Sequence, residues 1–227
     1  MDKRLSLILC FFAFCICTAS AEATMITYDY QLASDGTLTT PVSSSLAVVD
    51  TYDSGGRPGW DYINAGGTWG IVSGDLSGHY ARPYNYVTDA PDSTNYFVVQ
   101  TGSVLVDFKG TYNYLGLFWG SIDAGDSGIY NTIDFLKKDS LGNYNIVETW
   151  TGNQIIGGSG GSWTAPSDNM YVNFWDLQDF DAILISSNSP AFELDNLAVS
   201  LVPVPATILL GFLGLGVGGW KLRKTKI

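Results

Sequence analysis

Between residues 24 and 201 the chain is a succession of short apolar or alternating runs, each cut off by a cluster of Gly, Asn, Asp, Ser or Pro. No stretch repeats apolar residues at the i, i+3, i+4 spacing of a long amphipathic helix, whereas the period-2 alternation of a strand recurs throughout. The candidate strands are Ile26–Leu32, Leu46–Tyr52, Trp69–Val72, Tyr96–Thr101, Val104–Phe108, Tyr114–Trp119, Thr132–Leu136, Tyr144–Trp150, Tyr171–Trp175, Ala182–Ser186 and Phe192–Leu201. Val104, Val106 and Phe108 share one strand face, and Ile133 and Phe135 share another against Asp134, so these stripes should face a core. Many short strands separated by turns predict an all-β domain at 24–201, a two-sheet β-sandwich of jelly-roll type. Residues 54–59, 66–67 and 157–162 read as Gly-rich loops, the last flexible by composition.

The two ends differ from this middle. Lys3 and Arg4 precede an apolar run, Leu5 to Ala19, which closes on the small residues Ala19-Ser20-Ala21. That is the pattern of a secretory signal peptide over 1–23, cut by signal peptidase after Ala21, with Ala21-Glu22-Ala23 as a second cut site. The run is short against the roughly 20 residues that a bilayer span needs. Cys10, Cys15 and Cys17 all fall inside it, so the exported protein would hold no cysteine and no disulfide. Cys15 follows Phe14 and Cys17 follows Ile16, neither being the small residue that lipid attachment needs.

At the other end, 202–227, Val202-Pro203-Val204-Pro205-Ala206-Thr207 leads into a Leu/Gly-rich apolar stretch and then Lys221, Arg223, Lys224 and Lys226. The stretch is long enough for a transmembrane helix, and the basic end would stay cytoplasmic, leaving the domain outside. The order of motif, span and basic end resembles the PEP-CTERM class of sorting signals, in its Val-Pro-x-Pro-Ala variant carried here by Val202, Pro203, Pro205 and Ala206. The resemblance implies removal of the tail by exosortase and an exopolysaccharide- or biofilm-producing host. Val204 replaces the Glu of the commonest motif. Independently, Pro203 and Pro205 hold the segment extended, as a protease substrate should be. Residues 95 to 201, with Tyr114-Leu-Gly-Leu-Phe-Trp119, Tyr130-Asn-Thr-Ile-Asp-Phe135, Tyr171-Val-Asn-Phe174 and Ala191-Phe-Glu-Leu-Asp-Asn196, are similar to PEP-CTERM surface proteins of unassigned biochemical activity.

With both ends set aside, five Lys and Arg face twenty Asp and Glu, a net charge of −15. Such a surface repels phosphate backbones and excludes nucleic acid as a partner.

Catalytic signals are sparse. His79 is the lone histidine, in a Gly- and Tyr-rich loop, and no Gly-x-Ser-x-Gly elbow occurs. Glu148 and Glu193 are the candidate pair for a glycoside hydrolase, which needs two carboxylates across a sugar cleft. No catalytic residue and no certain cofactor are assigned. A structural Ca2+ is the cofactor this composition would suit, because hard cations take oxygen ligands. Glu193 and Asp195 fall on one side of a strand, and that terminal pattern resembles the last strand of jelly-roll carbohydrate-binding modules, where an acidic residue can ligate calcium. The clusters Asp123-Ala-Gly-Asp126 and Asp176-Leu-Gln-Asp179-Phe-Asp181 match no EF-hand spacing. Trp60, Tyr62, Trp69, Tyr80, Tyr84 and Tyr86 form an aromatic-rich region that could stack on sugars. The expectation is an exported, non-enzymatic cell-surface or extracellular protein associated with polysaccharide, with a carbohydrate-binding module as the alternative.

Overall fold

A computed structural model describes residues 23–53, 58–124, 131–158, 160–162 and 164–201. The signal segment, with Ala19 and Ala21, and the tail, with Val202, Pro203, Pro205 and Ala206, lie outside the described residues. So does Asp126. Among the described residues no helix is long and apolar enough to cross a membrane.

The strands are β1 (Met25–Thr27), β2 (Gln31–Leu32), β3 (Leu38–Thr39), β4 (Ala47–Asp50), β5 (Asp61–Asn64), β6 (Thr68–Val72), β7 (Tyr84–Asn85), β8 (Ala90–Pro91), β9 (Tyr96–Tyr112), β10 (Tyr114–Gly120), β11 (Asn131–Lys138), β12 (Tyr144–Thr151), β13 (Met170–Trp175), β14 (Phe180–Ser187) and β15 (Phe192–Ser200). The fold is all-β and antiparallel. Its main sheet runs β1-β13-β10-β15-β9-β14-β11-β12, with β4 on β15 and β5 and β6 on β9. β2 with β3 and β7 with β8 form separate two-stranded ribbons.

β9 belongs to both halves of this sheet. Its first part pairs Phe97–Val99 with β15 and Tyr96–Thr101 with β6, and its second part pairs with β14 and β5. The hand-over falls at Gly102, which has φ +83°, and a Cβ there would stand 2.3 Å from the Gly66 carbonyl oxygen. Only glycine takes that backbone without strain and admits the crossing chain.

The sheet curls so that its halves cover one core. Val104, Val106, Phe108, Ile133 and Phe135 from one half meet Leu115, Leu117, Trp119, Val172, Phe174, Phe192 and Leu194 from the other. Phe135 contacts Phe174 edge-on at 5.4 Å between centroids, and Trp150 reaches Phe174 from β12 at 5.9 Å. Trp119 stacks on Phe192 at 4.4 Å, within 9° of parallel. Each such ring removes a large apolar area from water, and truncating one to Ala typically costs about 3–5 kcal/mol.

Most expected strands form within a residue or two of their reading. Tyr96–Thr101 and Val104–Phe108 merge into the single strand β9, since Gly102 bends the strand instead of ending it. Ile26–Leu32 divides into β1 and β2. Residues 152–156 form a short helix, α1 (Gly152–Ile156), capped by Thr151 and Gln154 in a reciprocal capping box and closed by Gly157 in the left-handed conformation. In the Gly-rich stretch that follows, Gly160 and Gly161 donate to the carbonyls of Ala124 and Ile122, at 3.0 and 2.8 Å. These two residues are packed, not free as composition suggests: a Cβ on Gly160 would strike the Ile122 oxygen at 2.2 Å.

Candidate functional site

At one end of β15 the loops enclose a cavity of about 580 Å3, lined by Asp75, Leu76, Ser77, Gly78, His79, Tyr80, Ala81, Ser121, Asp123, Gly161, Ser189, Pro190, Ala191 and Glu193. One wall is a tight turn in which Leu76 and Tyr80 exchange backbone hydrogen bonds around Gly78, whose φ is +76°. Arg82 closes the turn by a fork onto Asp75, with Nη2–Oδ2 at 2.9 Å and Nε–Oδ1 at 3.2 Å, and its backbone N–H adds a bond of 2.8 Å. The Tyr80 ring rests edge-on against buried Tyr96 at 6.3 Å.

The walls are stapled by two buried asparagines. Asn169 accepts from the N–H groups of Tyr84 and Ser121, both at 3.0 Å, and donates to the carbonyls of Ser162 at 2.9 Å and Ala165 at 3.0 Å. These four bonds, all that an amide side chain can readily make, tie the 162–169 loop to the segments at Tyr84 and Ser121, which fixes the rim of the cavity. Asn131 accepts from the Asp123 N–H at 3.0 Å and from Trp119 Nε1 at 3.3 Å, and donates to Ser187 at 3.1 Å.

Glu193 lies on the cavity side of β15 and is 2% exposed. It accepts from the Ala81 N–H at 3.0 Å and from the Ser121 hydroxyl. Burial pushes its carboxyl up to about 8, against the lowering pull of those bonds, so the group is mostly neutral at pH 7. Burial also lifts Asp123 to about 6, opposed by Asn131 and reinforced by Asp168. Among the described residues no Lys or Arg lines the space. The cavity therefore combines hydroxyls, carboxyl groups that can donate or accept, and the apolar faces of Tyr80, Leu76 and Pro190.

Two residues along the same face of β15, Asp195 is 1% exposed and belongs to a second polar cluster. Its Oδ1 accepts from the Asn196 N–H at 2.7 Å, and its Oδ2 lies 3.2 Å from the Thr94 hydroxyl. The same hydroxyl stands 2.6 Å from Oδ1 of Asp92, which also accepts from the Thr94 N–H at 2.9 Å. Asp92 is 3% exposed, and its Oδ2 has no hydrogen-bond partner. Burial first, then the adjoining Asp92 carboxylate, raises Asp195 well above the usual carboxylate range. Among the described residues no group of three or more His, Cys, Asp or Glu gathers as a metal site.

The structure thus places both sequence candidates on one strand face but gives them different partners. Glu148 does not join Glu193: it sits on β12, accepting from Trp150 Nε1 at 2.8 Å, and does not line the cavity. His79 is exposed at the cavity rim, its Nδ1 3.2 Å from Gln100 Oε1. Asp181 is engaged by Lys137 at 2.9 Å, so the 176–181 acidic run does not converge. The aromatic region is not an exposed platform. Trp60 is buried against Phe108, Tyr62 lies against Trp69 and Phe97, and Tyr86 meets Tyr30 edge-on. Tyr84 bonds Asp89 at 2.8 Å. Of the six aromatics only Tyr80 lines the cavity. Asp92, Ser121 and Asn169 carry no sequence signal that marks them, since each depends on a loop crossing β15 or β10.

No family model matches the chain, and no curated protein does. Among solved structures it is similar to the family 22 carbohydrate-binding and catalytic modules of Clostridium thermocellum endo-1,4-β-D-xylanase 10B (TM-score 0.37, 13% identity, 69% of this chain and 28% of that one). The chain thus spans little more than a quarter of that structure. It is also similar to the C-terminal family 22 carbohydrate-binding module of the same xylanase (TM-score 0.37, 14% identity, 71% of this chain and 97% of that one). A third is the K1 cleaved adhesin domain of Lys-gingipain from Porphyromonas gingivalis W83 (TM-score 0.35, 16% identity, 69% and 99%). Likenesses this loose carry no argument about what the chain binds.

Proposed function

We propose that this is an exported, non-enzymatic surface domain of jelly-roll type that binds neutral extracellular polysaccharide in the cavity at Glu193. Its address is read from the ends of the sequence, as a signal peptide and an exosortase-processed tail. Its task is read from the cavity. One observation carries the binding proposal: a space of about 580 Å3 whose lining mixes hydroxyls, carboxyl groups and apolar faces, with no Lys or Arg among the described residues. A sugar ring presents the complement, hydroxyls around its edge and CH groups on its faces, and ligand sites are commonly apolar clefts with a few fixed polar groups. The acidic lining disfavours uronic or sulfated chains.

The test is retention on insoluble or immobilised neutral polysaccharides and on a glycan array. Tyr80→Ala and Asp123→Asn, checked for unchanged melting temperature, should each weaken retention about tenfold, the loss of one good contact. Wild-type protein that no neutral glycan retains would sink the proposal, as would retention indifferent to both changes.

A further inference from the structure

We propose that Ser121 is the group of the cavity that selects an acceptor oxygen on the bound glycan, and that Glu193 behind it decides whether the Ser121 hydroxyl donates or accepts. The inference rests on the cavity being a glycan site, and adds which contact is made there and what switches it. Ser121 follows β10, is half-buried and lines the cavity, whereas Glu193 is 2% exposed and lies beneath it. A ligand therefore meets the hydroxyl and not the carboxyl. Ser121 is also held in place. Its φ is +37°, a conformation that a serine keeps only under constraint, and its N–H is bound by Asn169 Oδ1 at 3.0 Å.

The two oxygens of Glu193 are not equivalent. Oε1 accepts from the Ala81 N–H at 3.0 Å, a donor that cannot reverse, so a proton on the carboxyl sits on Oε2, which faces Ser121 Oγ at 2.5 Å. A hydroxyl has one proton to give. With Glu193 neutral, Oε2–H donates to Oγ and the Ser121 proton is free to point into the cavity. With Glu193 ionised, Ser121 commits its proton to Oε2 and shows the cavity only lone pairs. An ether or carbonyl oxygen of a glycan has no proton to offer in return, so the contact is lost, and no Lys or Arg among the described lining residues replaces it. Burial is the largest influence keeping Glu193 neutral, the charge of Asp123 adds to it, and the bonds from Ser121 and Ala81 oppose both. The other groups around it bring no free positive charge. Arg82 is held by Asp75, His79 bonds Gln100, Tyr80 rests on Tyr96, Asp168 stands by Asp123, and Asp195 belongs to the Thr94 cluster. The carboxyl changes state at about 8.

Carbon NMR of the purified full chain tests the switch without any ligand. The Glu193 carboxyl carbon and the Ser121 β-carbon should titrate together with a midpoint of about 8. Glu193→Gln should abolish the Ser121 titration, since its amide oxygen takes the Ala81 N–H and its NH2 donates to Oγ at every pH. On the neutral polysaccharide that retains the wild type best, retention should fall about tenfold from pH 7 to pH 9, the loss of one good contact. Asp123, which changes state at about 6, is mostly ionised across this range. Glu193→Gln should remove the fall, and Ser121→Ala should bind about tenfold more weakly at pH 7 with no further fall. A Ser121 carbon that stays constant while Glu193 titrates overturns the proposal, as does wild-type retention that is equal at pH 7 and pH 9. Should the variants fail to fold, these two wild-type measurements decide. A coupled titration in a protein that no neutral glycan retains would uphold the switch between Glu193 and Ser121 and overturn only the glycan reading of the cavity.

Discussion

Glu193 has exchanged water for two hydrogen bonds and a dry strand face, and its proton follows. Its folded pKa of about 8 exceeds the ordinary 4.5, so the folded state holds a proton that the unfolded chain releases between those values. Stability from this group is therefore greatest below pH 4.5 to 5 and falls as pH rises toward 8, by at most about 1.4 kcal/mol per unit. Asp123, raised to about 6, acts in the same sense over a narrower window. Asp107 opposes them at the acid end. Burial disfavours its charge, but bonds from Lys138, Lys109 and Tyr144 outweigh that and hold it near 2, so stability is lost as pH falls below about 4. Melting temperature should thus peak in the mildly acidic range, and Glu193→Gln should flatten the decline between pH 5 and 8. A decline equally steep in the variant would refute the assignment. At this scale the sequence named Glu193 and Asp195 but not their surroundings. A strand's alternation says which face a side chain takes, whereas Asp92, Ser121 and Ala81 come to that face through loops whose paths no local pattern encodes.

Among the elements, β9 is the one whose reading most needed correction. A Gly-Ser pair between two apolar runs looks like a turn, and turns are what such pairs usually make. Here Gly102 is a bend in a continuous strand, required because the Gly66–Gly67 backbone passes within contact distance. Gly102→Ala should cost about 3 kcal/mol or more, combining a forbidden φ with a backbone clash. Urea unfolding should show the loss as a lower midpoint with an unchanged slope, while the same change at exposed Gly59, where nothing lies within 4 Å, should be mild. The remaining long strands were legible because their period-2 stripes are strict: Ile133 and Phe135, or Val104, Val106 and Phe108, are all buried as expected. The aromatic region at 60–86 was misread. It was read as a surface for stacking on sugars, yet Trp69, on a strand the sequence marked, and Tyr62, on β5, which it did not mark, both pack against Phe97 in the core.

Across the whole molecule, charge is segregated by position in the chain: residues 1–23 balance Lys3 and Arg4 against Asp2 and Glu22, the middle stands at −15, and the tail carries Lys221, Arg223, Lys224 and Lys226. That asymmetry needs only the sequence, which is why localisation could be proposed before any site. Intact-mass measurement on protein from its native host tests it: the expected species begins after Ala21 or Ala23 and ends near Pro205. A species running through Ile227 would contradict processing of the tail.

The strand that leads into that tail has a consequence of its own. β15 is not an edge strand. It is bonded along one side to β10 and along the other to β9 and β4, every neighbour antiparallel. Any tether at its C-terminal end pulls lengthwise on a strand held by two ladders, so the bonds must slide together in shear instead of opening one at a time. A load applied there would be borne by both ladders at once.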